Sequence, residues 1–548
     1  MPVLRFKVDR LLEYSGFETI EEVREALFRL KCEAEEVESG VLEVEVNPDR
    51  PDMYISDGIV RVLRGLRGIE EGWQRPQLRN SGLRLSSTRP STRPYIAAAV
   101  LYNVNVDEDY LEELIQFQEK LHDTIGRRRR KIAIGIHDLD KLPGRNIKYT
   151  MATLDTPIKP LGMDSYKTIR WVLENTEQGV KYGGISRSGG EHPVLVADGE
   201  PIAIPPVINS EVTRVEPGTR NLFIDVTGTD PALVFDVVDL MASTIAYRDN
   251  VVVGILSFTN GEAVETPRLS TERVNISLDY VNKVLGTGLS ASEASGLLRR
   301  MRYNALAIDE GSLEVEVPPF RLDIIREVDI VEDIAIAIGY DELEPRRPQK
   351  LMRGVLEDTT TLNRVLRGLL IGLGYTEVMQ LTLTSPRYVD ALGLSGEAVY
   401  VANPVQQEYS VLRPSLLVTL LPLLRGNMHR EKPVRVFEIG WVVKRRGDTV
   451  EEDLRLAMGI MDDEVSYEDI QAPTYSILRI LNVTFNVEPG KVNGFLEGRT
   501  GVIESGGEVL GWMGEVDPGV LEKLGLEYPV AAAELSINKL KSRIKSRS

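Results

Sequence analysis

Cysteine, long apolar runs and an excess of positive charge are all missing from this chain. Cys32 is the only cysteine, which excludes a disulfide framework and a thiolate zinc site. No apolar stretch reaches the roughly 20 residues that cross a bilayer, and the opening MPVLRFKVDR lacks the apolar core of a secretion signal. A cytoplasmic protein without membrane contact is expected. The formal net charge of −18 argues against a chain that coats nucleic acid non-specifically. Histidine is scarce too. None of His122, His137, His192 and His429 accompanies a Gly-x-Ser-x-Gly elbow, so a nucleophilic triad is not indicated. His137 reads as a core or turn histidine, and His192 lies beside Gly189-Gly190.

What is present is the make-up of a globular protein, 42% hydrophobic and 27% charged, and 548 residues are too many for one core. Three or four domains are expected. The densest chemical signal is PPFRLDIIREVDIVEDIAIAIGY, residues 318–340. Asp329, Glu332 and Asp333 are spaced i, i+3 and i+4, which puts them on one helical face. Asp323 precedes them on the extended approach that Pro318-Pro319 enforces. Val328, Val331, Ile334, Ala335 and Ile338 mark a buried stripe, and Gly339 stands where a helix ends. Four hard oxygen donors converging there would suit Mg²⁺. A plainer account also exists: acidic groups near a helix N-terminus complement its dipole. Carboxylates crowded with Asp323 repel unless a cation or an arginine intervenes.

One motif occurs twice. LEVEVNPDRPD (42–52) and LEVEVPPFRLD (313–323) match at an offset of 271 residues (313 − 42), which aligns Pro48, Arg50 and Asp52 with Pro319, Arg321 and Asp323. With one residue of slippage, Asp9 and Gly16 match Asp279 and Gly286. Helical segments follow at 20–32 and 291–303, so each copy reads as a helix–strand–helix module of about seventy residues. Arg61 and Val62 occupy the places of Glu332 and Asp333, so the first copy cannot bind the same ion.

Between the copies, an Arg-, Ser- and Pro-rich link (75–94) leads into a mixed α/β domain. Its expected strands are 96–102, 132–136, 194–196 and 223–226. Its helices are 108–125 and 231–247, the latter with Asp230 as N-cap and Pro231 in the first turn. After Arg346-Arg347-Pro348 a final α/β domain begins with a helix over 359–373, stopped by Gly374, and a strand over 376–384. Further strands are expected at 435–444, 454–461, 501–504 and 508–515. Two basic runs stand out, Arg127 to Lys131 and the tail Lys539 to Arg547. The tail reads as a solvated face. The inner run leads into a strand and could meet a phosphate backbone.

Five segments in order carry a resemblance: EVNPDRPDM (45–53), IAIGIHDLD (132–140), FIDVTGTDPALV (223–234), the 318–343 segment and VANPVQQEYSVLRPSLLVTLL (401–421). Together they resemble the β subunit of phenylalanyl-tRNA synthetase in its shorter archaeal/eukaryotic form. The implied fold class is a multidomain α/β and α+β chain. Residues 1–74 and 268–345 would be the two repeated helix–strand modules, with 75–94 a linker. Residues 95–265 would be an editing, tRNA-binding domain, and 350–548 a class II synthetase-like antiparallel-sheet domain.

The resemblance implies an α₂β₂ heterotetramer that joins phenylalanine to tRNA(Phe) with ATP and Mg²⁺. The aminoacylation site would lie on the α subunit. By the same resemblance Asp323, Asp329, Glu332 and Asp333 are Mg²⁺ ligands with a structural role. The class II-like domain should be catalytically silent. No Arg precedes the glutamate of Val436-Phe437-Glu438-Ile439-Gly440, and the closing Ala531 to Ser536 lacks a Gly-rich, Arg-terminated motif that would clamp ATP phosphates. The stretch from Asn403 to Ser415 would serve subunit packing.

The middle domain would hydrolyse tyrosine wrongly esterified to tRNA(Phe). The need is physical, since a hydrophobic pocket rejects an isostere bearing an extra hydroxyl by only about a hundredfold. The expected pocket comprises Asn209, Ser210, Asp225 and Thr227. Asp225 and Thr227 would share one side of a regular strand, although turn and cap chemistry favours the same residues. Two other readings stand: a freestanding hydrolase of mischarged tRNA, and a non-enzymatic nucleic-acid-binding module. The class II-like mass argues against the first. Against the second stand the charge of −18 and the lack of a basic recognition helix.

Overall fold

In a computed structural model, residues 2–38, 40–248, 250–259, 263–347 and 354–544 are described. The chain divides into two compact units, 1–348 and 349–548. Pro348, Asn260 and the end of the basic tail, 545–548, lie outside the described residues.

The first unit contains both copies of the repeat, and their topology is the same. In the first, strand Val3–Lys7 leads into helices Val8–Ser15 and Ile20–Arg29, strands Glu33–Glu38 and Val41–Glu45, and helix Ser56–Leu66. In the second, the matching elements are Glu272–Ser277, Leu278–Leu285, Ala291–Arg300, Asn304–Ala307, Ser312–Val317 and Glu327–Ile338. In each three-stranded sheet the third strand is central. Each module is thus richer than helix–strand–helix, because an opening strand pairs with the third strand, ahead of the closing helix.

Matching local chemistry shapes both copies. The second helix of each starts in a capping box, Thr19 with Glu22 and Ser290 with Glu293. Both helices stop earlier than their apolar pattern suggests, because Lys31 (φ 64°) and Arg302 (φ 74°) turn left-handed there. The copies pack reciprocally. Arg29 donates to the Ala337 carbonyl at 3.2 Å at the C-terminus of Glu327–Ile338. Arg300, its counterpart at the same offset, donates to the Leu66 carbonyl at the end of Ser56–Leu66. Lys31 reaches Glu332 at 3.1 Å, and its counterpart Arg302 reaches Glu70 at 3.1 Å. The two copies therefore meet about an approximate internal twofold.

The middle domain is built on a ten-stranded sheet. Its strand order begins Ile208–Asn209, Glu200–Ile204, Glu191–Ala197, Asn146–Thr153, Leu78–Ser87. It continues Val252–Thr259, Tyr95–Tyr102, Leu222–Gly228, Ile132–Asp138, with Ala263–Thr266 paired to Val252–Thr259. Leu78–Ser87 corrects the expected linker. Leu83 and Leu85 alternate inward between Arg and Ser residues, and the strand runs parallel to both neighbours. The sheet curls until its end strands approach: the Asn209 side-chain amide donates to the Ile136 carbonyl at 3.1 Å. Helix Pro231–Ile245 covers one face, where Leu222, Ile224 and Val226 point; Asp230 caps it by accepting from Leu233. Phe223 points to the other face.

The second unit is a seven-stranded sheet, antiparallel except where the short Thr376–Glu377 runs parallel to Val434–Arg446. The order continues through Thr449–Met461, Val530–Ser536, Glu508–Val516, Phe495–Ser505 and Asn486–Pro489. The expected single strand 376–384 is instead two two-residue strands, Thr376–Glu377 and Leu383–Thr384, in different sheets. Helices Asp358–Gly372, Tyr467–Ile480 and Ile537–Arg543 pack on one face against Phe437, Leu456 and Leu535. Leu417–Gly426 and Pro518–Leu524 cover part of the other, against Val436, Ala457 and Ala532. The described part of the basic tail is helical, with Lys539 and Arg543 paired to Glu508.

Candidate functional site

A cavity of about 680 Å³ opens where the two ends of the ten-stranded sheet approach each other. Its wall includes Gly135 and Ile136 of one end strand, Asn209 of the other with Ser210 just after it, Asp225 of the strand next to the first, and also Gln118, Arg129, Tyr182 and Thr213. Phe223, Asp225 and Thr227 do alternate to one face, as the strand period requires. Asp225 is almost wholly buried. Its Oδ2 lies 3.0 Å from Nε2 of His137, whose Nδ1 lies 2.7 Å from the Thr213 hydroxyl.

A carboxylate can only accept, so Nε2 carries the proton toward Asp225, and Nδ1 shares a hydrogen bond with the Thr213 hydroxyl. Both ring nitrogens of His137 are committed, and it acts as a positioning residue for Asp225. That leaves Oδ1 as the oxygen a ligand can use. Gly135 makes the arrangement possible: a Cβ there would lie 2.1 Å from Oδ2 of Asp225 and 2.9 Å from Nε2 of His137.

The four expected pocket residues have different fates. Asn209, Ser210 and Asp225 line the cavity. The Asn209 amide is engaged with Ile136, and the Ser210 hydroxyl donates to the Lys159 carbonyl at 2.8 Å, so both also stitch the sheet closed. Thr227 does not reach the cavity. Arg93 lies over it, with Nε donating to the Thr227 hydroxyl and Nη2 to its carbonyl, each at 2.9 Å. Burial brings the Arg93 guanidinium down to about 10. Sequence reasoning missed Thr213, Arg93 and the orienting role of His137. Only the central position of His137 in IAIGIHDLD hinted at a functional neighbourhood.

The inner basic run is partly structural. Arg127, Arg128 and Arg129 are all left-handed (φ 47°, 55° and 63°), a conformation costing about 1–2 kcal/mol per residue. Backbone bonds hold it, from Arg129 to the His122 carbonyl at 3.2 Å and from Lys131 to the Gly126 carbonyl at 2.9 Å. Gly126 is required, since a Cβ would meet the His122 carbonyl oxygen at 2.6 Å. Arg129 turns inward, donating to the Pro206 and Val207 carbonyls at 3.0 and 3.1 Å and to Glu119 at 2.6 Å. Burial alone would raise the Glu119 carboxyl, but hydrogen bonds from His122 and Arg129 bring it below the usual range.

The 318–340 motif gathers two of its carboxylates, Asp323 and Asp333, around a guanidinium and not around a shared metal-sized gap. Arg321 intervenes, with Nε and Nη2 on Asp323 at 2.8 and 2.6 Å and Nη1 forming an ion pair with Asp333 at 2.6 Å. Tyr303 donates its hydroxyl to Asp333. Glu332 is half-exposed and paired with Lys31. Asp329 accepts from the backbone of Ile325 and Arg326 at 2.8 and 2.7 Å, the dipole-complementing role of an acid in a first turn. Among the described residues no group of three His, Cys, Asp or Glu side chains is placed to hold a metal. As arranged, these four residues do not fit Mg²⁺. Val328 also departs from expectation, 42% exposed, while Ile336 and Ala337 join the buried stripe.

In the second unit, buried ion pairs line one face of the seven-stranded sheet. Arg413 is buried against Glu438 at 2.6 Å, and its guanidinium fills the space over Gly440, where a Cβ would lie 2.3 Å from Nη2. Arg455 reaches Glu534 at 3.1 Å, and Ser415 donates to the same carboxylate. Burial raises the Glu438 carboxyl despite Arg413. Arg413 and Ser415, at the end of the 403–415 segment, thus take part in an intrachain network.

Comparisons with known proteins agree with this architecture. Residues 343–537 match the phenylalanyl tRNA synthetase β chain CLM domain, 274–340 the tRNA synthetase B5 domain, and 124–284 the B3/4 domain. The chain is 54% identical to the phenylalanine–tRNA ligase β subunit of Aeropyrum pernix, over 98% of this chain and 99% of that one. This chain belongs to the phenylalanine–tRNA ligase β-subunit family. It is 40% identical to the β subunit of Saccharolobus solfataricus, over 96% of each. The solved N-terminal fragment of the Pyrococcus horikoshii β subunit superposes with a TM-score of 0.59 at 33% identity, covering 62% of this chain and all of the fragment. Membership makes the chain a subunit of a ligase acting in protein synthesis, and among the described residues no helix is long and apolar enough to cross a membrane.

Proposed function

We propose that this β subunit assembles with an α subunit as an α₂β₂ phenylalanine–tRNA ligase and hydrolyses tyrosine mis-esterified to tRNA(Phe) in its middle domain. Phenylalanine and ATP would be bound by α. Support for a silent second unit comes from the buried Arg413–Glu438 and Arg455–Glu534 pairs, which occupy the sheet face with the chain's own countercharges.

The observation that carries the editing reading is the Thr213–His137–Asp225 chain at the cavity wall. It presents one carboxylate oxygen, held by an imidazole, to a substrate's phenol or ammonium group. A site built to bond that hydroxyl discriminates far better than an apolar pocket does. A water then attacks the ester carbonyl, the bond to the ribose oxygen breaks, and the proton passes to that oxygen. The vicinal ribose hydroxyl is well placed by its own connectivity to assist. Free tyrosine and uncharged tRNA leave.

The test is deacylation of Tyr-tRNA(Phe) by the assembled enzyme. The wild type should release tyrosine, and Asp225→Ala should lose about 10² or more of that rate while phenylalanine charging is retained. Absence of tyrosine release from the wild type would sink the reading.

A further inference from the structure

We propose that Arg127, Arg128 and Arg130 clamp the phosphodiester backbone of the single-stranded RNA end whose terminal ester enters the cavity. The assignment rests on the ester-hydrolysis reading above. Arg129 is the anchor: its guanidinium is spent on the Pro206 and Val207 carbonyls and on Glu119, inside the cavity wall. Its neighbours Arg127, Arg128 and Arg130 are exposed, so the left-handed backbone sends one arginine in and leaves three outside within a residue or two of the opening.

These three differ from most of the chain's cations. Acidic residues outnumber basic ones, 83 to 65, and many surface arginines are paired. Among the described residues none of the three side chains forms an ion pair or hydrogen bond, whereas Lys131 lies 3.9 Å from Asp230. Lys181, on the cavity rim, adds a further cation, lying over the Tyr182 ring that also receives Arg129. Unneutralised guanidinium groups held on a bonded loop suit phosphate, which they contact with two parallel hydrogen bonds. A solvated loop would need no such rigid backbone.

The experiment uses the full chain assembled with its α subunit and two esters: Tyr-tRNA(Phe), and tyrosine esterified to free adenosine, which has no phosphates. In the variant R127N/R128N/R130Q, asparagine keeps the left-handed positions accessible. KM for Tyr-tRNA should rise about tenfold with kcat nearly unchanged, and the salt dependence of kcat/KM should flatten by about 2 in log–log slope. Hydrolysis of tyrosyl-adenosine should be unaffected, and R127K/R128K/R130K should restore most of the affinity for Tyr-tRNA. An unchanged KM for Tyr-tRNA would overturn the clamp, leaving the loop to solvent or to another anion such as an acidic protein segment. Equal loss on both esters would overturn it too, because the loop would then shape the cavity. Wild type inactive on both esters would refute the hydrolytic reading itself.

Discussion

In the first copy of the repeated module Asp52 lies between two arginines, with Arg50 Nε at 2.9 Å and Arg61 Nη2 at 3.1 Å. In the second copy the same backbone carries two carboxylates and one arginine: Arg321 stands between Asp323 and Asp333. Arg61 occupies the place of Glu332 and stacks 3.4 Å over Phe320 of the other copy. Both copies thus solve a buried-charge problem internally, by opposite ratios of acid to base. A dense acidic motif is therefore a statement about charge balance before it is one about metals. The partner that balances it can sit two residues away in the same strand-to-helix turn.

Removing the single arginine of the second copy should break this comparison most severely. Arg321→Met strands Asp323 and Asp333 in a buried site and should cost about 3–5 kcal/mol in denaturant unfolding. Added Mg²⁺ should recover part of that loss in the variant and leave the wild type nearly unchanged. An equal Mg²⁺ response in both proteins would show that the ion displaces Arg321 in the wild type. Arg61→Met should cost less, about 2–3 kcal/mol, because Arg50 still holds Asp52.

The copies also differ in their pH response, because Asp57 of the first stands where the second has Val328. Burial pushes the Asp57 carboxyl up to about 7, only partly countered by the Tyr110 hydroxyl. Between the ordinary value of 3.8 and 7 the folded chain therefore keeps a proton that the unfolded chain has lost. Stability from this group falls as pH rises through that window. Asp52 has the opposite sign. Despite burial, Arg50 and Arg61 hold it down to about 2, so its contribution is present above 3.8 and is lost as pH falls toward 2. Asp57→Asn should flatten the first slope and leave the second, measured as unfolding free energy against pH.

The smallest effects test the internal twofold. Arg29→Ala and Arg300→Ala should each cost about 1 kcal/mol, and by similar amounts, since each removes a cation from the C-terminus of the other copy's helix. Thr19→Ala and Ser290→Ala should also match, at about 1 kcal/mol per lost cap. A clear asymmetry in either pair would show that only the backbone, and not its energetics, is duplicated.

Much of this was legible in the linear chain. The 271-residue offset that aligned Leu42 with Leu313 also aligned the capping residues Thr19 and Ser290, because caps, turns and strand alternation depend on near neighbours. Asp225 was picked out by strand alternation with Thr227 and by the family resemblance, and the structure places it at the cavity wall. Leu78–Ser87 was not legible, since its polar composition suits a link as well as a strand and only parallel partners from distant segments distinguish them. Thr227 shares a strand face with Asp225, yet Arg93, remote in sequence, covers it.

The sequence by itself determined the duplicated module, its helix starts, the positions of the acidic and basic motifs, and the family they resemble. These follow from local periodicity and from spacing, which any segment carries with it. Only the tertiary structure decided which charge answers which: Arg321 for Asp323 and Asp333, His137 for Asp225, Arg413 for Glu438. In a buried, weakly screening interior the nearest countercharge dominates; for His137–Asp225 nearness is set by two strands the sheet brings side by side, and for Arg413–Glu438 by a loop that packs onto a strand distant in sequence.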